Sequence, residues 1–223
     1  MAGKRSVKNS LKESLALSVK MQQYYGYADY FDRIPLFTML QISNKGAESL
    51  EDIDVVVQCD GGFLLPFSKH LDEVPFESSV EVAVDNIVSP LYLTEVSELT
   101  VLSVKVLVLH GKDVLSEESA EVAVLPFDYW CGRSGNAELL ASFVRPKVAD
   151  CLRVLQEARE QLAKWNISCE WQGYQEGDKN KIRQICAAIY AVIKRQSIEK
   201  SAAEYNYDDP VPVGDITNIL KNK

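Results

Sequence analysis

The chain has 223 residues, of which 47% are hydrophobic and 25% are charged, and its formal net charge is −8. These values place it in the globular range and predict one or two domains. The charge is uneven, because residues 47–121 contain 16 acidic residues against three lysines. Such an acidic stretch repels phosphate, and this disfavours direct nucleic-acid binding by this part of the chain.

The N-terminal stretch is basic, with a net charge of +4 over residues 1–20. Its apolar run is too short and too interrupted for a secretory signal, and no later run reaches the length of a membrane span. The sequence therefore predicts a cytoplasmic protein with no membrane partner. The basic leader leaves two alternatives open, a nucleic-acid contact or a solubilising tail.

Residues 11–127 are predicted to form strands. Apolar and polar residues alternate in LALSV, IDVVVQC, VEVAVDNI, LTVLSVKVLVLH and SAEVAVLPF, and PLFTMLQI is rich in β-forming residues. Turn signals such as DGG and HGKD separate these runs. Six or seven strands without a helical period between them predict an antiparallel, immunoglobulin-like β-sandwich.

Residues 128–200 show a helical period, which makes the predicted fold class α+β. Asn136 is a good N-cap for a first helix that ends before Pro146, and Pro146 can open the next helix as its first residue. Two further helices are predicted from apolar stripes, the last one built on Ile182, Ile185, Cys186, Ile189 and Ile193. Residues 201–223 are predicted to be a partly ordered tail.

Two residues near the change of period, Cys131 and Ser134, could be read as catalytic nucleophiles. No histidine follows either of them, and the spacing around Ser134 is not that of a nucleophile elbow. The five cysteines form no CxxC pair, and neither His70 nor His110 lies at ligand spacing from them. The sequence therefore predicts no catalytic residue, no metal site and no cofactor.

An aromatic cluster lies near the N-terminus and has two interpretations. Tyr24, Tyr25, Tyr27 and Tyr30, followed by Phe31, can be core residues of a strand or of a sheet edge. They can also be partly exposed as a protein-binding patch, because exposed aromatic clusters mark interaction sites. The four tyrosines are the candidate partner contacts.

Several stretches occur in an order that resembles a known family. They are PLYLTEVSELTVLSVKV, LPFDYWCG, ELLASFVRPKVADCLRVL and WQGYQEGDKNKIRQICAAIYAVIK. Together they are similar to the N-terminal region of large bacterial helicase-related proteins of poorly defined function. The candidate site residues belong to the family motifs or to the structural joint between the strand and helical regions, and they are Trp130, Gly132, Asn136, Phe143, Pro146, Gly173, Tyr174 and Gln175.

The resemblance implies an immunoglobulin-like sandwich followed by the helical start of a transglutaminase-like segment. It also implies a non-catalytic accessory module that contacts a helicase- or nuclease-bearing protein, in the setting of bacterial genome defence. The motifs of the helicase, thiol and nuclease regions of that family do not occur in this chain. The alternative is a degenerate or split thiol hydrolase or transferase that another chain completes.

Overall fold

The computed structural model describes residues 14–133, 135–168, 177–196, 204–214 and 216–221. The fold is α+β, as the sequence predicts, with most strands in the N-terminal half and the long helices after residue 148. No helix in these ranges is long and apolar enough to cross a membrane.

Ten strands are present in the described residues. They are β1 (Leu15–Met21), β2 (Tyr24–Tyr25), β3 (Phe37–Asn44), β4 (Leu50–Cys59), β5 (Phe67–Val74), β6 (Ser78–Glu81), β7 (Thr100–His110), β8 (Asp113–Val124), β9 (Tyr129–Trp130) and β10 (Val211–Pro212). The α-helices that lie within the described residues are α1 (Tyr27–Phe31), α2 (Pro90–Glu95), α3 (Ala149–Lys164), α4 (Lys179–Arg195) and α5 (Ile216–Lys221). Two 3₁₀ helices span Asp60–Gly62 and Ala137–Phe143.

Eight of the strands form two sheets. A five-stranded sheet has the order β2-β8-β7-β4-β5, with antiparallel pairs except for the parallel pair β2–β8. A three-stranded antiparallel sheet has the order β1-β3-β6. The predicted HGKD turn is confirmed, since Gly111 at φ +61° lies between the paired ends of β7 and β8.

The two sheets share one hydrophobic core. Leu40 and Ile42 enter it from the three-stranded sheet, and Val55 and Val106 enter it from the five-stranded sheet. Alternate residues of each strand point to opposite faces, which explains the periodic valines in the sequence. Phe63 has no exposed surface and lies in this core.

The short helices α1 and α2 interrupt the strand region, where the sequence predicted strands without helices. That prediction is wrong because each helix is only one or two turns long and shows no recognisable period. Local chemistry still accounts for α2. Ser89 caps it by accepting a hydrogen bond from the Tyr92 backbone N–H at 3.3 Å, and Pro90 occupies its first turn.

The chain divides into two compact units. The first contains residues up to Ser142 and also Tyr207–Pro212, and the second contains Phe143–Asn206 and Val213–Lys223. The predicted boundary lies between residues 127 and 128. Strands β9 and β10 pair within the first unit, with Val211 opposite Trp130. A part of the segment predicted as a tail thus belongs to the first unit.

The second unit is built on helices α3, α4 and α5. Its core consists of Val154, Ala158, Leu162, Ala188, Val192 and Leu220. Helix α4 is capped by Asp178, whose carboxylate accepts hydrogen bonds from the backbone N–H groups of Asn180 and Lys181 at 2.9 and 3.3 Å. The cap satisfies donors that the first turn of a helix leaves free.

The buried face predicted for α4 is partly wrong. Cys186 is exposed and Ile193 is 39% exposed, whereas Ala188 and Val192 are fully buried. The small side chain of Ala188 faces the core. The buried face of α4 is therefore rotated around the helix axis relative to the face predicted from the isoleucines. Pro146 also does not open a helix, because α3 begins at Ala149 with Val148 as its N-cap.

Candidate functional site

Four aromatic side chains form a partly exposed cluster on the first unit, which we call the aromatic surface: Tyr27, Tyr30, Phe31 and Phe127. The ring of Tyr27 lies at its centre, 4.7 Å from the Phe127 ring and 6.4 Å from the Phe31 ring, between ring centroids. Phe31 is 65% exposed and Phe127 is 37% exposed. Exposure of an aromatic side chain to water is unfavourable. A cluster of exposed rings therefore indicates a surface that contacts another molecule.

A buried carboxylate holds helix α1 under this surface. Asp29 is 2% exposed, and it accepts a hydrogen bond from the Gly26 backbone N–H at 2.9 Å and one from the Asn136 side-chain amide at 3.4 Å. Burial raises the pKa of Asp29, although these two hydrogen bonds act in the opposite direction. Ser142 also donates a hydrogen bond to Asp32. The segment around Asn136 and Ser142 therefore fixes the position of α1.

The four candidate tyrosines lie in three different environments. Tyr25 is buried, and its hydroxyl donates a hydrogen bond to the Ile34 carbonyl at 3.0 Å. Tyr24 lies on β2 and is half-buried. Tyr27 and Tyr30 lie on α1, half-buried within the aromatic surface. The structure thus brings two of the four into one exposed cluster and places Tyr25 in the core.

A cavity of about 250 Å³ lies beside the aromatic surface, and we call it the groove. Residues 33–36 form one wall and residues 84–88 form the other, with Tyr25 and Tyr30 between them. The side chains of Arg33, Asp85 and Asn86 are exposed at its edge. Within the described ranges, none of these three side chains has a hydrogen-bond or ion-pair partner. An apolar floor with polar groups at the edge is the usual composition of a binding site.

Strand β10 packs against the segment that follows β8. The Arg133 backbone N–H donates to the Tyr207 carbonyl at 2.8 Å, and the Arg133 guanidinium lies 5.8 Å from the centre of the Tyr207 ring. Gly132 has a φ of +82° and approaches the backbone of Asp209. Trp130 is buried, and no described group accepts a hydrogen bond from its indole Nε1. These contacts hold residues 130–133 against residues 207–212 within the first unit.

The environment of Cys131 is the opposite of what a nucleophilic thiol requires. Burial raises the pKa of Cys131, and the nearby Asp29 carboxylate raises it further. Its Sγ lies 3.7 Å from the Asn136 carbonyl, to which it donates. A reactive cysteine needs a lowered pKa and a positive environment. Ser134, the other nucleophile considered, lies outside the described residues.

The remaining candidate residues of the family motifs and the structural joint lie in different parts of the chain. Gly132 and Asn136 belong to the first unit, as described above. Phe143 and Pro146 lie at the start of the second unit, where Phe143 is half-buried and Pro146 is exposed. Gly173, Tyr174 and Gln175 lie outside the described residues.

A histidine surrounded by three aspartates lies on the five-stranded sheet. The His70 Nδ1 atom is 2.8 Å from an Asp54 carboxylate oxygen across the β4–β5 pair, and its Nε2 atom is 3.6 Å from Asp72 and 3.9 Å from Asp52. The hydrogen bond to Asp54 raises the pKa of His70, and the charges of all three aspartates add to this effect. Nowhere in the described residues do three or more His, Cys, Asp or Glu side chains form a group that could hold a metal ion.

We expect the Asp54→Asn substitution to lower the pKa of His70 toward its ordinary value near 6.5. Since the pKa is raised in the folded protein, the His70–Asp54 pair stabilises the fold below pH ~6.5, and this stabilisation is lost as the pH rises through the folded-state pKa. An NMR titration of the histidine ring protons measures the change. Asp72→Asn is the matched control and should lower the pKa less, because Asp72 is farther from the ring. Equal shifts in both variants would contradict the assignment.

Comparisons with known proteins provide little further information. No protein-family model matches the sequence, and no curated protein matches it. One solved structure that is similar to part of the chain is described as "The structure of a beta-glucuronidase from glycoside hydrolase family 2". The sequence identity is 17% and the TM-score is 0.31, over 42% of this chain and 10% of that chain. A likeness at this level supports no statement about function.

Proposed function

We propose that this chain is a non-catalytic protein-interaction module that contacts its partner through the aromatic surface. The observation that carries the proposal is the exposure of Phe31 and Phe127, whose rings both lie close to the ring of Tyr27. These rings form one continuous cluster, and most of the Phe31 side chain faces solvent. Aromatic residues contribute a large share of the binding free energy at protein interfaces.

The contacts that fix helix α1 beneath the aromatic surface support the same proposal. Helix α1 is only five residues long, which is too short to be stable alone. The buried Asp29 carboxylate and its bonds to Gly26 and Asn136 fix this helix in the first unit. A rigid contact surface loses less conformational entropy on binding than a flexible one. The geometry is therefore suited to recognition of another macromolecule.

The partner that we propose is a helicase- or nuclease-bearing protein, in the setting of bacterial genome defence. This part of the proposal rests on the sequence resemblance alone. An immunoglobulin-like architecture of the first unit is also part of the proposal, and its support is the shared core between a three-stranded and a five-stranded sheet. The raised pKa of Cys131 argues against the alternative of a split thiol enzyme.

We expect Phe31→Ala to weaken partner binding by about tenfold or more, which is the effect of removing a central aromatic contact. The partner is first identified by affinity purification of the tagged full chain from its host, and its dissociation constant is then measured with the purified components. Phe76→Ala is the matched control, because Phe76 is 58% exposed on the β5–β6 connection, outside the aromatic surface. Unchanged binding by Phe31→Ala, or an equal loss in the control, would refute the proposed surface.

A further inference from the structure

We propose that the groove binds an extended, net-basic segment of the partner protein, which adds to the three-stranded sheet as a further strand. This inference rests on the proposed function, since it names the chemistry of the partner segment. Four properties of the groove support it: an unpaired strand edge, a facing backbone with free hydrogen-bonding groups, a small cavity with an apolar floor, and an acidic surrounding surface.

The first property is the edge of β3. Residues 41–44 of β3 pair with β6. One further hydrogen bond joins the Val82 N–H to the Leu40 carbonyl at 2.8 Å. Upstream of Leu40, β3 pairs with β1 on its other side only, within the part of the chain that the structure describes. An unpaired strand edge presents free N–H and C=O groups, to which an extended peptide can bind.

The second property is the backbone of the opposite wall. The N–H and C=O groups of Val84, Asp85 and Asn86 make no hydrogen bond to any described residue. Downstream, the wall is fixed by the bond from the Leu65 N–H to the Ile87 carbonyl at 2.6 Å. Asn86 has a φ of +55°, which turns the chain between these two parts. An inserted segment would therefore find unpaired backbone groups on both sides.

The third property is the cavity between the two walls. Its floor is formed by Leu36, Val84 and Val88, all of which are buried. The hydroxyl of Tyr25 is already bonded to the Ile34 carbonyl, so this ring supports the wall. A volume of about 250 Å³ is below the usual range for a whole small-molecule ligand, roughly 300–1,000 Å³. It is suited to one apolar side chain of a strand, whose alternate residues point to the same face.

The fourth property is the charge around the groove. Asp85 lies on its edge, Glu81 precedes it on β6, and Arg33 provides a single opposing cation on the other wall. Over residues 14–142 the sequence has 20 acidic and 7 basic residues. Complementary charge steers binding and selects partners, which favours a basic segment over an acidic one. Arg33 then weakens the binding of a basic segment, and Asp85 strengthens it.

The test is an NMR titration of the full chain with a blocked synthetic peptide of alternating lysine and valine. We expect the backbone amide signals of residues 37–40 and 84–86 to shift, and the corresponding peptide of glutamate and valine to leave them unchanged. Shifts with the acidic peptide, equal shifts with free lysine, or shifts that follow protein concentration without peptide would each overturn the inference. The last result would identify a second copy of the chain as the occupant.

Charge variants test whether negative charge at the groove strengthens the binding of a basic peptide. Asp85→Lys should weaken binding of the lysine–valine peptide by roughly three- to tenfold, and Arg33→Glu should strengthen it. Glu118→Lys, on β8 of the other sheet, changes the net charge as much as Asp85→Lys does and should have little effect at high salt. A groove that binds no peptide while Phe31→Ala still weakens partner binding would remove this inference alone. Peptide binding without any dependence of partner binding on Phe31 would instead remove the aromatic surface.

Discussion

Replacing Phe63 with alanine is expected to lower the free energy of unfolding by about 3–5 kcal/mol, the range for large-to-small changes of buried aromatic residues. Phe63 is fully buried and meets two other rings edge-on. Its ring centroid lies 6.4 Å from that of Tyr25 and 5.6 Å from that of Tyr92. The substitution removes both contacts and leaves a cavity in the core that the two sheets share. Urea denaturation followed by circular dichroism measures the change.

The matched control for this variant is again Phe76→Ala. Phe76 is exposed, so its removal should change the free energy of unfolding by no more than about 0.5 kcal/mol. Because Tyr25 lines the groove, Phe63→Ala should also alter the amide signals of residues 84–86 in the folded fraction. A loss below about 1 kcal/mol would show that the core around Phe63 is loosely packed.

The Gly132→Ala variant is expected to have the second large effect, a loss of about 2–4 kcal/mol in the free energy of unfolding. The φ of +82° alone is unfavourable for alanine by about 1–2 kcal/mol. In addition, a Cβ atom at this position would lie 2.5 Å from the Asp209 carbonyl oxygen, so the backbone around Asp209 has to move. We expect the Val211–Trp130 pairing to be lost, which hydrogen exchange at the Val211 amide detects.

The Gly61→Ala variant separates the backbone strain from the steric clash in the stability loss expected for Gly132→Ala. Gly61 has the same φ of +82°, but a Cβ atom there would meet no atom within 4 Å. It should therefore show the backbone strain alone and leave the exchange at Val211 unchanged. If both variants lost the same stability, the close approach of Gly132 to Asp209 would have no energetic role.

The regular part of the fold was predictable because it repeats. Strands β4, β7 and β8 are ten to twelve residues long, and their alternating valines identify them directly. Short elements carry no such signal. Helix α1 has five residues, and its position depends on Asn136, a residue that lies more than a hundred positions later. Periodicity cannot reveal an element that a distant contact stabilises.

The candidate site was predictable from the sequence only in part. The clustering of Tyr27, Tyr30 and Phe31 in the sequence pointed to an aromatic patch. Phe127 joins that patch only because β8 ends beside α1, where Tyr25 pairs with Val124. Arg33 and Asp85 likewise meet at one groove through sheet topology, which the local sequence does not encode.

The pairing of β10 with β9 has a consequence for biosynthesis. Domains generally fold in order as the chain leaves the ribosome. Trp130, however, acquires its strand partner only after Val211 has been synthesised, and helices α3 and α4 are both synthesised before it. The strands of the two sheets can assemble early, but the first unit is completed only when residues 207–212, which follow helices α3 and α4, have been translated. A nascent chain arrested before residue 207 should therefore leave the indole side of Trp130 open to solvent.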